Sequence, residues 1–306
     1  MNIQSKTIHW IADIQNIWAP FFMSAFFVVT GYCFSIKRGI KDFLIIQLKT
    51  ILLPAFTIRI FISILSKALG GNNSVIESIM FTINTFLKEG GPYWFLWALF
   101  VCKIANYFLL RKYSLRVVFI IGIILFFISS IGYEFFPAEK PFLRWQRCLA
   151  MMPFIPLGLL LKKYEHKFNL INSLVFVGIY IIVFYLCKYY IGAIPKLVGE
   201  VPMMLVDVIP SIILSITGSL SFLFVCKKIS RWNLIEYLGR NTLVIYLIHN
   251  FILTTLLIYF RPVIEQDLTK PILCTEIVII ISTIVITMMI NEILNTRYLK
   301  ILIGKF

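Results

Sequence analysis

Residues 117–133 read VVFIIGIILFFISSIGY, without one Asp, Glu, Lys or Arg. A membrane helix needs about 20 mostly apolar residues, while a membrane strand needs about ten of alternating character. This run is continuous, so it reads as a helix with an apolar surface all round. Eight further segments share its character: 17–36, 43–66, 92–110, 146–161, 169–188, 201–226, 241–260 and 271–294. The fold class that follows is all-α, a polytopic transmembrane bundle of about nine helices. It forms one domain over 1–306, with the spans in 17–294 and tails at 1–16 and 295–306.

The composition points the same way. Hydrophobic residues make up 60% of the 306, charged residues 14%, and the mean hydropathy is +0.91. Soluble domains have roughly 45–50% apolar and about 25% charged residues. An ordinary cytosolic enzyme and a disordered chain are both excluded. The six Cys lie singly in or beside apolar runs, with no metal-ligand spacing, so they read as packed thiols and no metal is expected. The net charge of +15 lies in short clusters between apolar runs. The bilayer, not nucleic acid, is the partner this implies.

Those clusters orient the chain. One set is Lys37, Arg38, Lys41; Arg111, Lys112, Arg116; Lys162, Lys163, Lys167; Lys227, Lys228, Arg231, Arg240; and Arg297, Lys300, Lys305. The sparser set is Lys6, Lys67, Lys88, Lys140, Arg144, Lys188, Lys196, Arg261 and Lys270. The denser set is expected to face the cytoplasm. That makes a multi-pass protein of the cell (inner) membrane with a cytoplasmic C-terminus. Nine spans then put Met1 outside, which hints at a missing first helix. The long external connection Gly70–Gly91 contains an apolar stretch, Ile76–Leu87, suited to the membrane surface. Pro54, Pro153, Pro156, Pro202 and Pro210 are expected to kink or break helices. Tyr93, Trp94 and Trp97 suit an interfacial aromatic belt, and Glu165–His166 reads as part of a solvated loop.

Five segments carry a family resemblance. They are Phe21-Phe22-Met23-Ser24-Ala25-Phe26-Phe27-Val28-Val29-Thr30-Gly31-Tyr32; Lys49-Thr50-Ile51-Leu52-Leu53-Pro54; Trp94-Phe95-Leu96-Trp97-Ala98-Leu99-Phe100; Pro153-Phe154-Ile155-Pro156-Leu157-Gly158; and Leu238-Gly239-Arg240-Asn241-Thr242-Leu243-Val244-Ile245-Tyr246-Leu247-Ile248-His249. In this order they resemble the acyltransferase-3 family of membrane O-acyltransferases. The resemblance implies a ten-helix fold. It also implies acyl transfer, usually of acetyl, from cytoplasmic acetyl-CoA or another acyl-CoA to a glycan or lipid-linked sugar. The chain departs from the family in lacking the first helix with its catalytic Arg and His. None of His9, His166 and His249 fits that pattern, Phe22 and Ser24 replace a His and a Pro, and Gln47 leaves Lys49 without a basic neighbour.

Charges within a membrane cost about 2.5–3.5 kcal/mol each on insertion scales, so each invites a reason. His249 either lines a polar cavity as a secondary catalytic base or makes an interhelical hydrogen bond. Arg59, Arg147, Asp207 and Glu276 share an outward depth. They form either an acceptor pocket for sugar hydroxyls and phosphate or two buried ion pairs. Lys49 suits the phosphates of coenzyme A, or simple anchoring. Two functions stand side by side: an O-acyltransferase, and a non-catalytic polysaccharide export or assembly protein on a related scaffold. Topology reporters fused at Lys112 and Lys228 are expected to read cytoplasmic and one at Lys196 external; a reversed pattern overturns the depth assignments.

Overall fold

A computed structural model describes residues 16–68, 74–89, 93–135, 145–167, 170–191, 205–228, 232–266, 272–296 and 299–304. Every regular element among them is a helix. Helix α1 is Phe22–Tyr32; α2 is Ile40–Gln47, continued by a π turn Leu48–Leu52 into α3, Leu53–Ala68. Then come α4 (Val75–Glu89), α5 (Trp94–Lys112), α6 (Leu115–Phe135), α7 (Trp145–Met151) and α8 (Phe154–Lys163). The chain continues through α9 (Leu170–Leu186), α10 (Leu205–Lys228), α11 (Asn233–Arg240), α12 (Thr242–Gln266) and α13 (Ile272–Leu294). Among the described residues six helices are long and apolar enough to cross a membrane: Ile40–Ser66, Trp94–Lys112, Ile171–Tyr190, Asp207–Lys227, Thr242–Phe260 and Ile277–Leu294. The apolar stretches Phe22–Tyr32 and Leu115–Ile131 are shorter. The chain is a multi-pass helical membrane protein.

Two of the nine expected spans take a different form. The first, 17–36, keeps only the 11 residues of α1 as one regular helix. The segment 146–161 breaks at Met152–Pro153 into α7 and α8. Proline has no N–H and its ring crowds the preceding turn, so the break falls where the sequence placed it. The other prolines act differently. Pro156 lies in the first turn of α8, where a missing N–H costs nothing. Pro54 stands one residue beyond the π turn, after Leu53, whose N–H reaches back to the Leu48 carbonyl. Pro210 lies inside α10, which stays one helix from Leu205 to Lys228. Pro202 lies outside the described residues.

The tightest packing surrounds the α7–α8 break. A Cβ built on Gly31 would stand 2.1 Å from the Ile155 carbonyl oxygen, and one on Gly158 would stand 2.0 Å from that of Val28. A Cβ on Gly122 would meet Pro153 Cα at 2.7 Å. Helices α1 and α8 therefore touch backbone to backbone, with α6 closing on the break. In lipid no hydrophobic force drives helices together, so close approach through small residues supplies much of the attraction. Phe27, Val28, Met151, Phe154 and Ile155, all at most 1% exposed, fill the space around this crossing. On its other flank α1 meets α10 through serines. Ser24 Oγ lies 2.9 Å from Ser219 Oγ, and Ser215 donates to the Pro20 carbonyl at 2.8 Å.

Polar contacts gather one end of the bundle. The Tyr107 hydroxyl donates to the Arg38 carbonyl at 2.7 Å, joined there by Arg111 at 3.2 Å. Arg116 donates to the Tyr164 hydroxyl at 3.1 Å, and Tyr237 donates to Glu292. Glu165 is solvent-accessible, as expected of its loop, and it also accepts from the Tyr32 hydroxyl at 2.6 Å and pairs with Lys227. It thus links the ends of α1, α8 and α10. Its carboxyl is held below the ordinary range, first by the Lys227 hydrogen bond and then by that of Tyr32. This link is complete at neutral pH and weakens only as the pH falls through that lowered value.

The long connection forms helix α4 as an amphipathic element. Phe86 is buried against Phe56 and Trp97, and the Trp97 indole N–H donates to the Phe86 carbonyl at 2.7 Å. Ile76, Met80 and Phe81 are exposed. Near the other terminus Ile303 is 2% exposed, and Gly304, at φ 74°, lies against Thr50 and Pro54. Replacement of Gly158 by Leu is expected to lower the melting temperature and the yield of folded protein sharply. Overpacking typically costs 1–3 kcal/mol, and here the obstacle is backbone. Gly178→Ala, with nothing within 4 Å of its Cβ, should leave both unchanged; equal effects overturn the crossing as the main constraint.

Candidate functional site

Helix α5 begins inside the bundle. Tyr93, Phe95 and Leu96 are 4%, 8% and 4% exposed. The first N–H groups of any helix lack partners within it. Here the Phe95 N–H finds the phenol oxygen of Tyr246 on α12. The Tyr93 hydroxyl donates to the Leu247 carbonyl at 2.7 Å. Two phenols thus fasten the start of α5 to α12. Aromatic rings fill in around them: Phe95 lies 5.5 Å from Tyr246, 5.4 Å from Phe27 and 5.7 Å from Phe26. Tyr93 is therefore no interfacial belt residue. Trp94 and Trp97 are half-buried and engaged with other side chains or backbone.

His249 stands one turn beyond Tyr246, half-buried, with ring centroids 6.1 Å apart. Its Nδ1 lies 2.9 Å from the Ile245 carbonyl oxygen and 3.0 Å from that of Tyr246. Carbonyls only accept, so Nδ1 carries the proton. In the neutral ring the lone pair is then at Nε2, which has no hydrogen-bond partner among the described residues. This arrangement fixes both the tautomer and the direction of the basic nitrogen.

Two cations flank the same helix start. The Arg147 guanidinium sits 4.6 Å above the Trp94 ring, a cation–π contact. Arg59 on α3 lies near enough for its charge to act on the Tyr93 hydroxyl. Of the four residues expected at one depth, these two lie by the start of α5, Arg59 toward Tyr93 and Arg147 on Trp94. Asp207 lies elsewhere, half-buried on α10 near Cys187 of the turn that ends α9. Among the described residues no ion pair joins Arg59 to Asp207. The Glu276 side chain lies outside the described residues. Lys49 is exposed at the π turn, where its backbone carbonyl packs near Gly304.

The arrangement joins a directed imidazole and two phenols inside a lipid-embedded bundle, with Arg59 near Tyr93 and Arg147 on the neighbouring Trp94. Over residues 2–292 the chain matches the model of the acyltransferase domain Acyl_transf_3. The chain belongs to the acyltransferase-3 family. No curated protein and no solved structure matches it.

In this acyltransferase-3 protein the resembling segments fall at structural joints. Thr30-Gly31-Tyr32 and Pro153–Gly158 meet at the backbone crossing of α1 and α8. Lys49–Pro54 spans the π turn. Trp94–Phe100 opens α5, and Thr242–His249 is the part of α12 to which that opening is fastened. The sequence singled out His249, but Tyr246, three residues earlier, was hidden among apolar neighbours of the same segment. Tyr93→Phe is expected to cost about 0.5–1.5 kcal/mol through the lost hydrogen bond. Tyr259→Phe, on a ring 71% exposed, should cost nothing in the same thermal denaturation.

Proposed function

We propose that this protein is a membrane O-acyltransferase. It takes an acyl group, acetyl in the simplest case, from acyl-CoA on the cytoplasmic side and places it on a hydroxyl of a cell-surface glycan or lipid-linked sugar. The observation that carries this reading is His249, whose Nδ1 is committed to backbone carbonyls while Nε2 stands ready as a base. In the reaction Nε2 removes the proton from the acceptor hydroxyl, and that oxygen attacks the thioester carbonyl carbon. A C–O bond forms, the C–S bond breaks, and the imidazolium returns its proton to the departing thiolate. General base catalysis of this kind is worth typically 10²–10⁴-fold.

Arg59 and Arg147 supply positive charge for the developing oxyanion or for acceptor phosphate, where low dielectric magnifies it. Asp207 and Glu276 are proposed to accept hydrogen bonds from sugar hydroxyls as the acceptor approaches. Lys49, exposed and cationic, suits a phosphate of coenzyme A. The proposed setting is the cell membrane, with the basic ends of the helices and the C-terminus in the cytoplasm.

The test is transfer of labelled acetyl from acetyl-CoA in membranes containing the purified protein and envelope glycolipid acceptors. His249→Gln is expected to lower the rate by about 10²–10⁴-fold with an unchanged melting temperature. Full activity in that variant overturns the role of His249. Absence of acyl-CoA-dependent transfer by the unmodified protein instead favours a non-catalytic export role.

A further inference from the structure

The bundle end that bears Lys162, Lys163 and Lys227 also holds a cavity of about 370 Å³. It lies between α1, α8 and α10, away from the Tyr93–Tyr246–His249 group. Its walls are Val29, Leu161, Leu223 and Phe224, and its polar edge is the bridge of Tyr32, Glu165 and Lys227. The volume falls within the range of ligand clefts, about 300–1,000 Å³.

The wall chemistry selects the occupant. Four hydrocarbon side chains offer no partner for sugar hydroxyls, a nucleotide base or the amides of pantetheine, and burying such groups unpaired is costly. An alkyl chain loses nothing there. The mouth chemistry selects the head. The Lys162 ammonium lies 5.6 Å from the centre of the Tyr32 ring, Lys227 is more than half exposed, and Lys163 is exposed beside them. Arg116 stands close by on Tyr164. Glu165 is the one carboxylate among these groups and offsets only one of their positive charges. The mouth is therefore net positive, and it lies where three helices end, at the level of lipid headgroups.

We propose that this cavity holds one acyl chain of an anionic phospholipid, with the lipid phosphate against Lys162 and Lys227. The phosphate shares Lys227 with Glu165, so the occupied mouth retains the bridge between α1, α8 and α10. The site is independent of the acyl-transfer reading, because none of its residues belongs to that reaction.

Native mass spectrometry of the full chain in mild detergent tests this directly. The probes are phosphatidylglycerol and phosphatidylcholine with identical chains, and palmitoyl-CoA. Each basic residue near a lipid surface is worth roughly a five-fold preference for anionic lipid. Preferential retention of phosphatidylglycerol is therefore expected, and it should disappear in the double variant Lys162→Gln, Lys227→Gln. Leu223→Trp, which fills the cavity, should abolish retention of either lipid. Should that variant fail to fold, Leu161→Phe should weaken retention in the same sense. Equal retention of the two phospholipids overturns the proposal, as does undiminished binding in the filled variants. Displacement of phosphatidylglycerol by equimolar palmitoyl-CoA also overturns it, by assigning the cavity to an acyl donor.

Discussion

The backbone contact between α1 and α8 is the constraint around which the bundle is arranged. Both Gly31 and Gly158 are needed for it, because a Cβ on either would overlap the carbonyl of the other helix. Proline 153 breaks the preceding helix just before the crossing and frees α8 to take its own direction. Helix α6 then closes on the break through Gly122. Interhelical attraction in lipid depends on such proximity, so exchange of a glycine hydrogen for a methyl group at this point is felt by three helices.

From that crossing the two ends of the molecule diverge in character. Toward the lysine-rich end, α1 and α8 run out to Tyr32 and Glu165, where Lys227 of α10 joins them. Toward the interior, Phe26 and Phe27 of α1 meet Phe95 and bring the start of α5 against α12. His249 owes its position to this second contact. The same helix that supplies its hydrogen-bonding carbonyls is held in register by Tyr93 and Tyr246.

Much of the fold was legible in the sequence, and the limits have physical causes. Long apolar runs announce membrane helices because lipid leaves few alternatives for the backbone. Gly-Gly connections flanked the amphipathic stretch that became α4, and Pro153 marked a true break. Depth was less legible. Hydropathy finds where a run begins but not how far its neighbours extend past that point. Tyr93 therefore looked interfacial and is buried. Glu165 is solvated as expected, but its partners, Tyr32 and Lys227, lie far away in sequence and were not legible. For the site, Arg59, Arg147 and His249 could be picked out as charges or titratable groups in apolar surroundings. Their gathering around the start of α5 could not, since it depends on helix packing alone.

Many of the hydrogen bonds between distant segments end on carbonyls rather than on side chains. Tyr93 reaches Leu247, Trp97 reaches Phe86, Tyr107 reaches Arg38, Ser129 reaches Gln146 and Ser215 reaches Pro20 in this way. Every residue type presents the same carbonyl, so the receiving position is not tied to the identity of its donor. Each such bond persists while the residue at its acceptor drifts. Paired substitutions across a family would therefore under-report these contacts, however much they contribute to holding the helices in register.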